Sequence, residues 1–240
     1  MLHGTAATVV LLRDAPDGLQ VLLLERPRNR GSFAGAWVFP GGVVDPEDYG
    51  QPGEDDDGEL AAARLAGVRE TAEETGLHLQ PHHLEQLSCW VPPPEAPRRY
   101  KTWFFLAPAP AGEILLSPQE HVDAVWLTPA EAFRRHRGGT MDLFPPTWVT
   151  LYGLLGWETV AAALAGAAAA EPETYATRRL PGRVPPAMMW HGDAEYPHSP
   201  EYPASPDRPD TPEHAKVGAD SSRRHRLLMD ANGWTYERTN

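Results

Sequence analysis

The feature that most constrains this chain is a set of three glutamates spaced for one turn of a helix. Glu70, Glu73 and Glu74 stand at positions i, i+3 and i+4, so a helix would carry all three carboxylates on one side. Like charges at this spacing destabilise a helix by about 0.2–0.5 kcal/mol per pair. A divalent cation would remove that repulsion, and carboxylate oxygens suit Mg²⁺ or Mn²⁺. The spacing therefore predicts a helix with an acidic side, which by itself is either a solvated face or a metal site.

We expect this helix to run from about Glu59 to Thr75 and to end at Gly76, a residue type that commonly stops helices. An apolar stripe lies on roughly the opposite side of the helical wheel and consists of Ala61, Leu65, Val68 and Ala72. A surface helix buries its apolar side. This interpretation buries the stripe and leaves the carboxylates facing solvent or a ligand.

The segment from Arg69 to Leu77, with Phe39-Pro40-Gly41-Gly42 upstream, resembles the box motif of the Nudix hydrolases. That motif reads Gly, five residues, Glu, seven residues, then Arg-Glu-Uaa-x-Glu-Glu-x-Gly-Uaa, where Uaa is usually aliphatic. The chain departs from it at Thr71, which takes an aliphatic position, and at Asp48, which takes the position of the first Glu counted from Gly42. An acidic, glycine-containing insertion, GQPGEDDDGE, lengthens the gap before Arg69 and predicts a surface loop.

The resemblance implies metal-dependent hydrolysis of a diphosphate linked to another group. It assigns the metal cluster to Glu70, Glu73 and Glu74, and it assigns a metal-binding carbonyl to Gly41. One of these glutamates, or a loop glutamate, would be the general base. Arg69 would orient a cluster carboxylate. We expect Asp48 to help place Arg69 or the loop without binding metal. Glu120, on the loop before a strand ending in Trp126-Leu127, is either a further metal-binding or base residue or an exposed loop acid.

The order of elements predicts an α/β fold, and the resemblance implies a Nudix-type α/β/α sandwich with a mixed sheet. We expect a hydrolase domain over residues 1–170 and a Pro-rich, partly ordered extension over 171–240, with a β-hairpin at Asn232-Gly233, packed on the main domain. The predicted elements include strands over Thr5–Leu12, Leu19–Glu25, Ala36–Phe39, Leu84–Val91, Tyr100–Ala107 and Val122–Leu127, and one long helix over Pro146–Ala169.

The residues before the box resemble the coenzyme A diphosphatase branch, the nineteenth-type subgroup of the family. Arg26, Gly35 and Phe39 to Gly42 fit that branch, whereas its second arginine is expected at position 31, one residue after Arg30. The implied substrate is coenzyme A or an acyl derivative. Arg26, Arg28 and Arg30 are then candidates for binding its phosphates, although Arg28 and Arg30 can equally be ordinary loop charges. ADP-ribose, NADH, a dinucleoside polyphosphate or an oxidised nucleotide are alternative substrates, and a non-catalytic nucleotide sensor is a different class.

Composition limits the partners. The 240-residue chain carries a formal net charge of −12, which argues against broad binding to nucleic acid or anionic membranes. Cys89 is the only cysteine, so no intrachain disulfide forms, and its apolar neighbours favour a core position. Without a visible signal peptide or transmembrane segment, we expect a cytoplasmic enzyme with a small-molecule diphosphate substrate. Dimeric relatives suggest a homodimer, and the aromatic residues Trp148, Tyr152 and Trp157 are either its interface or core.

Overall fold

A computed structural model describes residues 1–29, 34–49, 58–197 and 222–239. The chain divides into two compact units. The main unit consists of Leu2–Cys89 and Tyr100–Glu173, and the C-terminal unit consists of Thr174–Asn240 with Trp90–Arg99 and Met1. The second unit therefore includes a segment from the middle of the chain, which its sequence did not indicate.

The main unit is built on a mixed sheet. Its strands are β1 (Gly4–Ala15), β2 (Gly18–Glu25), β3 (Trp37–Val38), β4 (Gly41–Val43), β5 (Glu85–Val91, whose last two residues belong to the C-terminal unit), β6 (Tyr100–Pro108) and β7 (Asp123–Leu127). The order is β3-β2-β1-β6-β5, and β4 and β7 pair with β1 and β2. Because β1 is parallel to β6 and antiparallel to β2 and β4, the sheet is mixed.

Four helices accompany this sheet in the described part of the main unit. They are α1 (Gly58–Thr75), α2 (Pro129–Arg137), α3 (Pro145–Leu154) and α4 (Val160–Ala169). Val9 and Leu11 of β1 share a core cluster with Ala63 and Ala66 of α1. Val10, which points to the opposite face of the sheet, is equally buried. Helix α2 contacts β2, and α4 contacts β1 and β6. The predicted α/β class is confirmed.

Two predictions about elements are wrong. The single helix expected over Pro146–Ala169 is divided into α3 and α4. Gly156 lies in the break, and the Thr159 side chain accepts a hydrogen bond from the Ala162 backbone at 3.2 Å, which caps a new helix. The third strand is also shorter than Ala36–Phe39, and β4 follows it without having been predicted, because glycines give no strand signal.

The C-terminal unit contains a small antiparallel sheet. The strands of this unit are β8 (Glu173–Ala176, whose first residue belongs to the main unit), β9 (Arg178–Arg179), β10 (Ala187–Met189), β11 (His225–Asp230) and β12 (Gly233–Arg238). The last four form a sheet in the order β12-β11-β10-β9. The hairpin of β11 and β12 lies where Asn232-Gly233 predicts it.

Aromatic rings and one buried ion pair organise the C-terminal unit. Trp90 stacks on Tyr175 with ring centroids 4.0 Å apart and meets Trp190 edge-on at 5.7 Å. The Arg226 Nε donates to Asp193 Oδ2 at 2.6 Å, and the side chains are 1% and 0% exposed. The buried arginine is thus neutralised inside the unit.

Among the described residues, no helix is long and apolar enough to cross a bilayer. Cys89 is a free, buried thiol, and burial raises its pKa to about 12, in agreement with a core position. Trp148 is buried, whereas Tyr152 and Trp157 are 43% and 39% exposed. Of these three aromatic residues, only Trp148 is therefore a core residue.

Candidate active site

The smallest residues of α1 face the sheet, and their size sets how close the helix lies. Ala62, Ala63, Ala66 and Gly67 are buried. A Cβ atom on Gly67 would lie 3.0 Å from Val9 Cγ2, which is closer than side-chain carbons normally approach. The absence of this Cβ lets the helix approach β1 closely.

The prediction that the apolar stripe forms the buried side of α1 is therefore wrong. Ala61 and Leu65 are exposed, and Val68 and Ala72 are only partly buried. The prediction ranked the positions by hydrophobicity, whereas the packing selects them by size. As a result, the helix turns part of its carboxylate side towards the protein interior.

The three glutamates consequently differ in their surroundings. Their side chains are 15% exposed for Glu70, 56% for Glu73 and 3% for Glu74. Burying a carboxylate requires charged or hydrogen-bonding partners. The partners of Glu70 and Glu74 come from outside α1 as well as from the helix.

Glu74 is held by hydrogen bonds to both of its oxygens. The Gly41 N–H donates to Oε2 at 2.8 Å, and the His121 Nε2 lies 2.8 Å from Oε1. These partners come from β4 and from the loop before β7. Glu74 therefore connects three separate segments of the main unit.

Glu70 lies directly against the glycine pair. A Cβ atom on Gly42 would be 2.3 Å from Glu70 Cδ, so a side chain at this position would displace the carboxylate. Burial raises the pKa of Glu70 to about 7, and the charges of Glu74 and Glu73 act in the same direction. The position thus favours a carboxylate that gains or loses a proton near neutral pH.

Arg69 connects the helix to the preceding turn. Its guanidinium donates to Asp48 Oδ2 at 2.9 Å, to Glu70 Oε1 at 2.9 Å and to the Val43 carbonyl at 3.0 Å. The bond to Asp48 raises the pKa of Arg69. Burial would raise the pKa of Asp48, but the bonds from Arg69 and from the Asp45 backbone lower it. The expected contact between Asp48 and Arg69 is therefore present.

Thr71, which replaces an aliphatic residue of the motif, is completely buried. Its hydroxyl donates to the Gly67 carbonyl at 2.7 Å. This bond, made one turn back along the helix, removes the penalty of burying a hydroxyl group. The substitution is thus compatible with an intact helix.

A family model described as the NUDIX domain matches residues 2–144, more than half of the chain. This chain belongs to the Nudix hydrolase family. It acts on the substrate class of that family, the nucleoside diphosphate derivatives. The family prediction made from Arg69–Leu77 is confirmed.

Solved structures of Nudix proteins resemble this chain. A Nudix hydrolase from Alicyclobacillus acidocaldarius is 25% identical with a TM-score of 0.60, over 69% of this chain and 96% of that chain. A MutT Nudix hydrolase from Burkholderia pseudomallei is 23% identical with a TM-score of 0.45, over 62% and 95% of the two chains. The Nudix domain of Shewanella oneidensis NrtR in complex with ADP-ribose is 19% identical with a TM-score of 0.47, over 63% and 85%. No curated protein sequence matches the chain significantly.

The other predicted site residues of this Nudix hydrolase lie as follows. The Arg26 N–H donates to the Ala36 carbonyl at 2.9 Å. Arg28 is 77% exposed and pairs with Glu25 at 3.1 Å. Arg30 lies outside the described residues. Glu120 is exposed, and of this loop it is the next residue, His121, that reaches Glu74.

Nudix hydrolases generally use divalent metal ions, and the donor chemistry here fits such an ion. Within the described residues, no three His, Cys, Asp or Glu side chains are already arranged as a metal site. Arg69 instead engages Glu70 at 2.9 Å and Glu73 at 3.4 Å. Burial raises the pKa of Glu70, the bond from Arg69 lowers it, and the neighbouring charges of Glu74 and Glu73 raise it further. A hard cation would stabilise the ionised form.

His121 is the residue of this site that sequence reasoning missed. It is 1% exposed and contacts Glu74 across 47 positions of the chain. A single histidine before a strand carries no signal of its own. The one clue in the sequence was its position next to Glu120, on the loop before β7.

Proposed function

We propose that this Nudix hydrolase cleaves the diphosphate of coenzyme A or acyl-coenzyme A, giving 3',5'-ADP and phosphopantetheine or its acyl derivative. The observation that carries the proposal is the connection between the arginine segment and the glutamate helix. The Arg26 N–H bond to the Ala36 carbonyl, at 2.9 Å, brings Arg26 next to Ala36, ten positions further along the chain. The same stretch then continues into Gly41 and Gly42, which contact the glutamates.

In this proposal, Glu70, Glu73, Glu74 and the Gly41 carbonyl would hold Mg²⁺ or Mn²⁺, which would supply charge neutralisation and a water of lowered pKa. Arg69 orients Glu70 and Glu73 through the bonds described above. Asp48 holds Arg69 and would not be a metal ligand. Glu120, exposed beside this site, is a candidate for the general base.

The reaction itself needs little covalent help from the protein. The oxygen of a water molecule forms a bond to one phosphorus, and the bond from that phosphorus to the bridging oxygen breaks. Each product keeps one phosphate of the cleaved diphosphate, the adenosine product retains its 3'-phosphate as well, and the protons of the water pass to the base and the solvent. Guanidinium groups of Arg26, Arg28 and Arg30 suit the phosphates of the adenosine end, because they bind phosphate oxygens in pairs.

A substrate panel tests the proposal. The purified chain is incubated with Mg²⁺ or Mn²⁺ and coenzyme A, ADP-ribose, NADH, a dinucleoside polyphosphate or an oxidised nucleotide, and the products are identified by mass spectrometry. We expect 3',5'-ADP from coenzyme A, and none when a chelator is added. Cleavage of ADP-ribose without cleavage of coenzyme A would be consistent with a Nudix hydrolase but would contradict coenzyme A as its substrate. Nucleotide binding without cleavage would favour the sensor.

A further inference from the structure

His121 is buried like a core residue, but its side chain contacts a carboxylate of the candidate active site. Its ring is 1% exposed, and its Nε2 lies 2.8 Å from Glu74 Oε1. Because a carboxylate oxygen only accepts hydrogen bonds, Nε2 carries the proton. The other oxygen of Glu74 is already bound to the Gly41 N–H at 2.8 Å. Together these two donors leave the carboxylate one orientation.

The second ring nitrogen of His121, Nδ1, indicates that the residue is placed for its bond to Glu74. Within the described part of the chain, the buried Nδ1 has no hydrogen-bond partner. An unsatisfied buried polar atom reduces stability. An apolar residue would fill the same space without that penalty, so packing alone does not account for a histidine here.

The backbone around His121 ties the loop to two other parts of the main unit. At the end of α1, the Leu115 N–H donates to the Thr75 carbonyl at 2.8 Å and the Ser117 N–H donates to the Glu74 carbonyl at 3.2 Å. On the other side, the Val122 N–H donates to the Glu25 carbonyl at 2.9 Å. Glu25 immediately precedes Arg26. The loop therefore bridges the glutamate helix and the start of the arginine segment.

We propose that His121 is a positioning residue: with the Gly41 N–H, it fixes the Glu74 carboxylate and keeps the glutamate helix in register with the segment that begins at Arg26. The inference rests on the proposed role of Glu74 in the reaction. It assigns His121 no contact with substrate. Its effect on turnover is transmitted through Glu74 alone.

Three substitutions separate positioning from packing. In His121→Gln the amide Nε2 takes the place of the imidazole Nε2, whereas His121→Asn is too short and His121→Leu has no donor. We expect His121→Asn and His121→Leu to lower kcat by about 10- to 100-fold, as is typical when a supporting bond to a metal ligand is lost, with a much smaller change in KM. His121→Gln should recover most of the activity. The matched control is His78→Leu at an exposed position, which should leave kcat unchanged.

Two measurements do not depend on turnover. Side-chain ¹⁵N NMR of the intact chain should show the His121 proton on Nε2. Thermal unfolding of His121→Leu, Glu74→Gln and the double variant should be non-additive, because the two residues share one bond. A proton on Nδ1, additive losses in melting temperature, or equal kcat in the Gln and Leu variants would overturn the proposal. A chain that cleaves no diphosphate would reject the proposed function, and the NMR and unfolding results would still decide the role of His121.

Discussion

At the residue scale, burial distinguishes glutamates that the motif treats alike. Glu73 is 56% exposed at its side chain, and Glu74 is 3% exposed and accepts two hydrogen bonds. We expect Glu73→Gln and Glu74→Gln each to lower kcat by about 100-fold or more, since each removes a charge proposed to bind metal. Only Glu74→Gln should also reduce stability, by about 1–3 kcal/mol, because one amide cannot accept from both donors.

Steady-state kinetics and urea unfolding of the two variants measure these effects separately. Near-wild-type turnover in both variants would remove the glutamates from the mechanism. Equal stability of the two would mean that the buried contacts of Glu74 contribute little.

The pKa of Glu70 leads to a prediction about pH. Burial raises this pKa from 4.5 to about 7, so the folded chain binds more protons than the unfolded chain between these values. The contribution of Glu70 to stability is therefore greatest below pH 4.5, falls as pH rises through this window and is constant above it. Carboxyl NMR of the metal-free chain should show titration near neutral pH, and Mg²⁺ should lower the midpoint. A midpoint that Mg²⁺ does not move would separate Glu70 from the metal.

Recognition of the 3'-phosphate is a prediction about Arg28 and Arg30. Arg28 now pairs with Glu25 at 3.1 Å while 77% exposed, and such a pair is weak enough for a phosphate to replace it. The double change Arg28→Ala and Arg30→Ala should raise KM for coenzyme A about tenfold and should affect dephospho-coenzyme A much less. The change Arg137→Ala, at an exposed arginine of α2, is the control. Equal effects on both substrates would show that these arginines do not read that phosphate.

The sequence predicted the charged residues of the site better than the residues that hold them in place. The glutamates and the contact from Asp48 to Arg69 follow from a motif with fixed spacing along the chain. The bond from His121 to Glu74 depends on how the loop folds back onto α1, and no local pattern encodes that. Sequence could therefore indicate the chemistry, whereas the geometry that holds it depends on tertiary contacts.

At the element scale, the fit of β4 against α1 depends on a glycine. A Cβ on Gly42 would meet Glu70 Cδ at 2.3 Å, whereas a Cβ on Gly58 would have nothing within 4 Å. Gly42→Ala should therefore lower kcat by about 10- to 100-fold through displacement of Glu70. Gly58→Ala, at the first residue of α1, should keep wild-type kinetics. Equal activity of the two variants would show that Glu70 can move without consequence.

The elements were predicted best where one signal dominates. Strands β1 and β2 and the length of α1 follow from β-branched runs, turns and a stop at Gly76. The face of α1 was wrong because a wheel ranks Leu65 above Gly67, whereas close approach to β1 selects the glycine. The break between α3 and α4 was missed because a capping threonine is weak evidence within an alanine-rich run.

At the scale of the whole molecule, the C-terminal unit depends on one buried ion pair. Asp193 accepts from Arg226 and from the His225 and Glu195 backbone N–H groups. Asp193→Asn leaves the arginine without its counter-charge and should reduce stability by about 3–5 kcal/mol, measured by urea unfolding with tryptophan fluorescence. Asp142→Asn, at an exposed aspartate of the main unit, should have little effect. A loss no larger than that of the control would contradict a structural role for the pair.

The same pair should make this unit sensitive to acid. Burial would raise the pKa of Asp193, but the bonds from Arg226 and from the backbone lower it below 3.8. Its contribution to stability is complete above pH 3.8 and is lost as pH falls through the lower, folded-state value. The wild-type chain should therefore lose this contribution at low pH, and Asp193→Asn should lack it at every pH.

The segment Trp90–Arg99 has a consequence for how the protein is made. Trp90 is 3% exposed in the finished protein, and its ring partners include Tyr175 and Trp190. A ribosome releases β1 to β6 and the entire glutamate helix before either of those rings has been translated. The nascent chain therefore presents the Trp90 indole without these two ring partners until Tyr175 and Trp190 have themselves been translated.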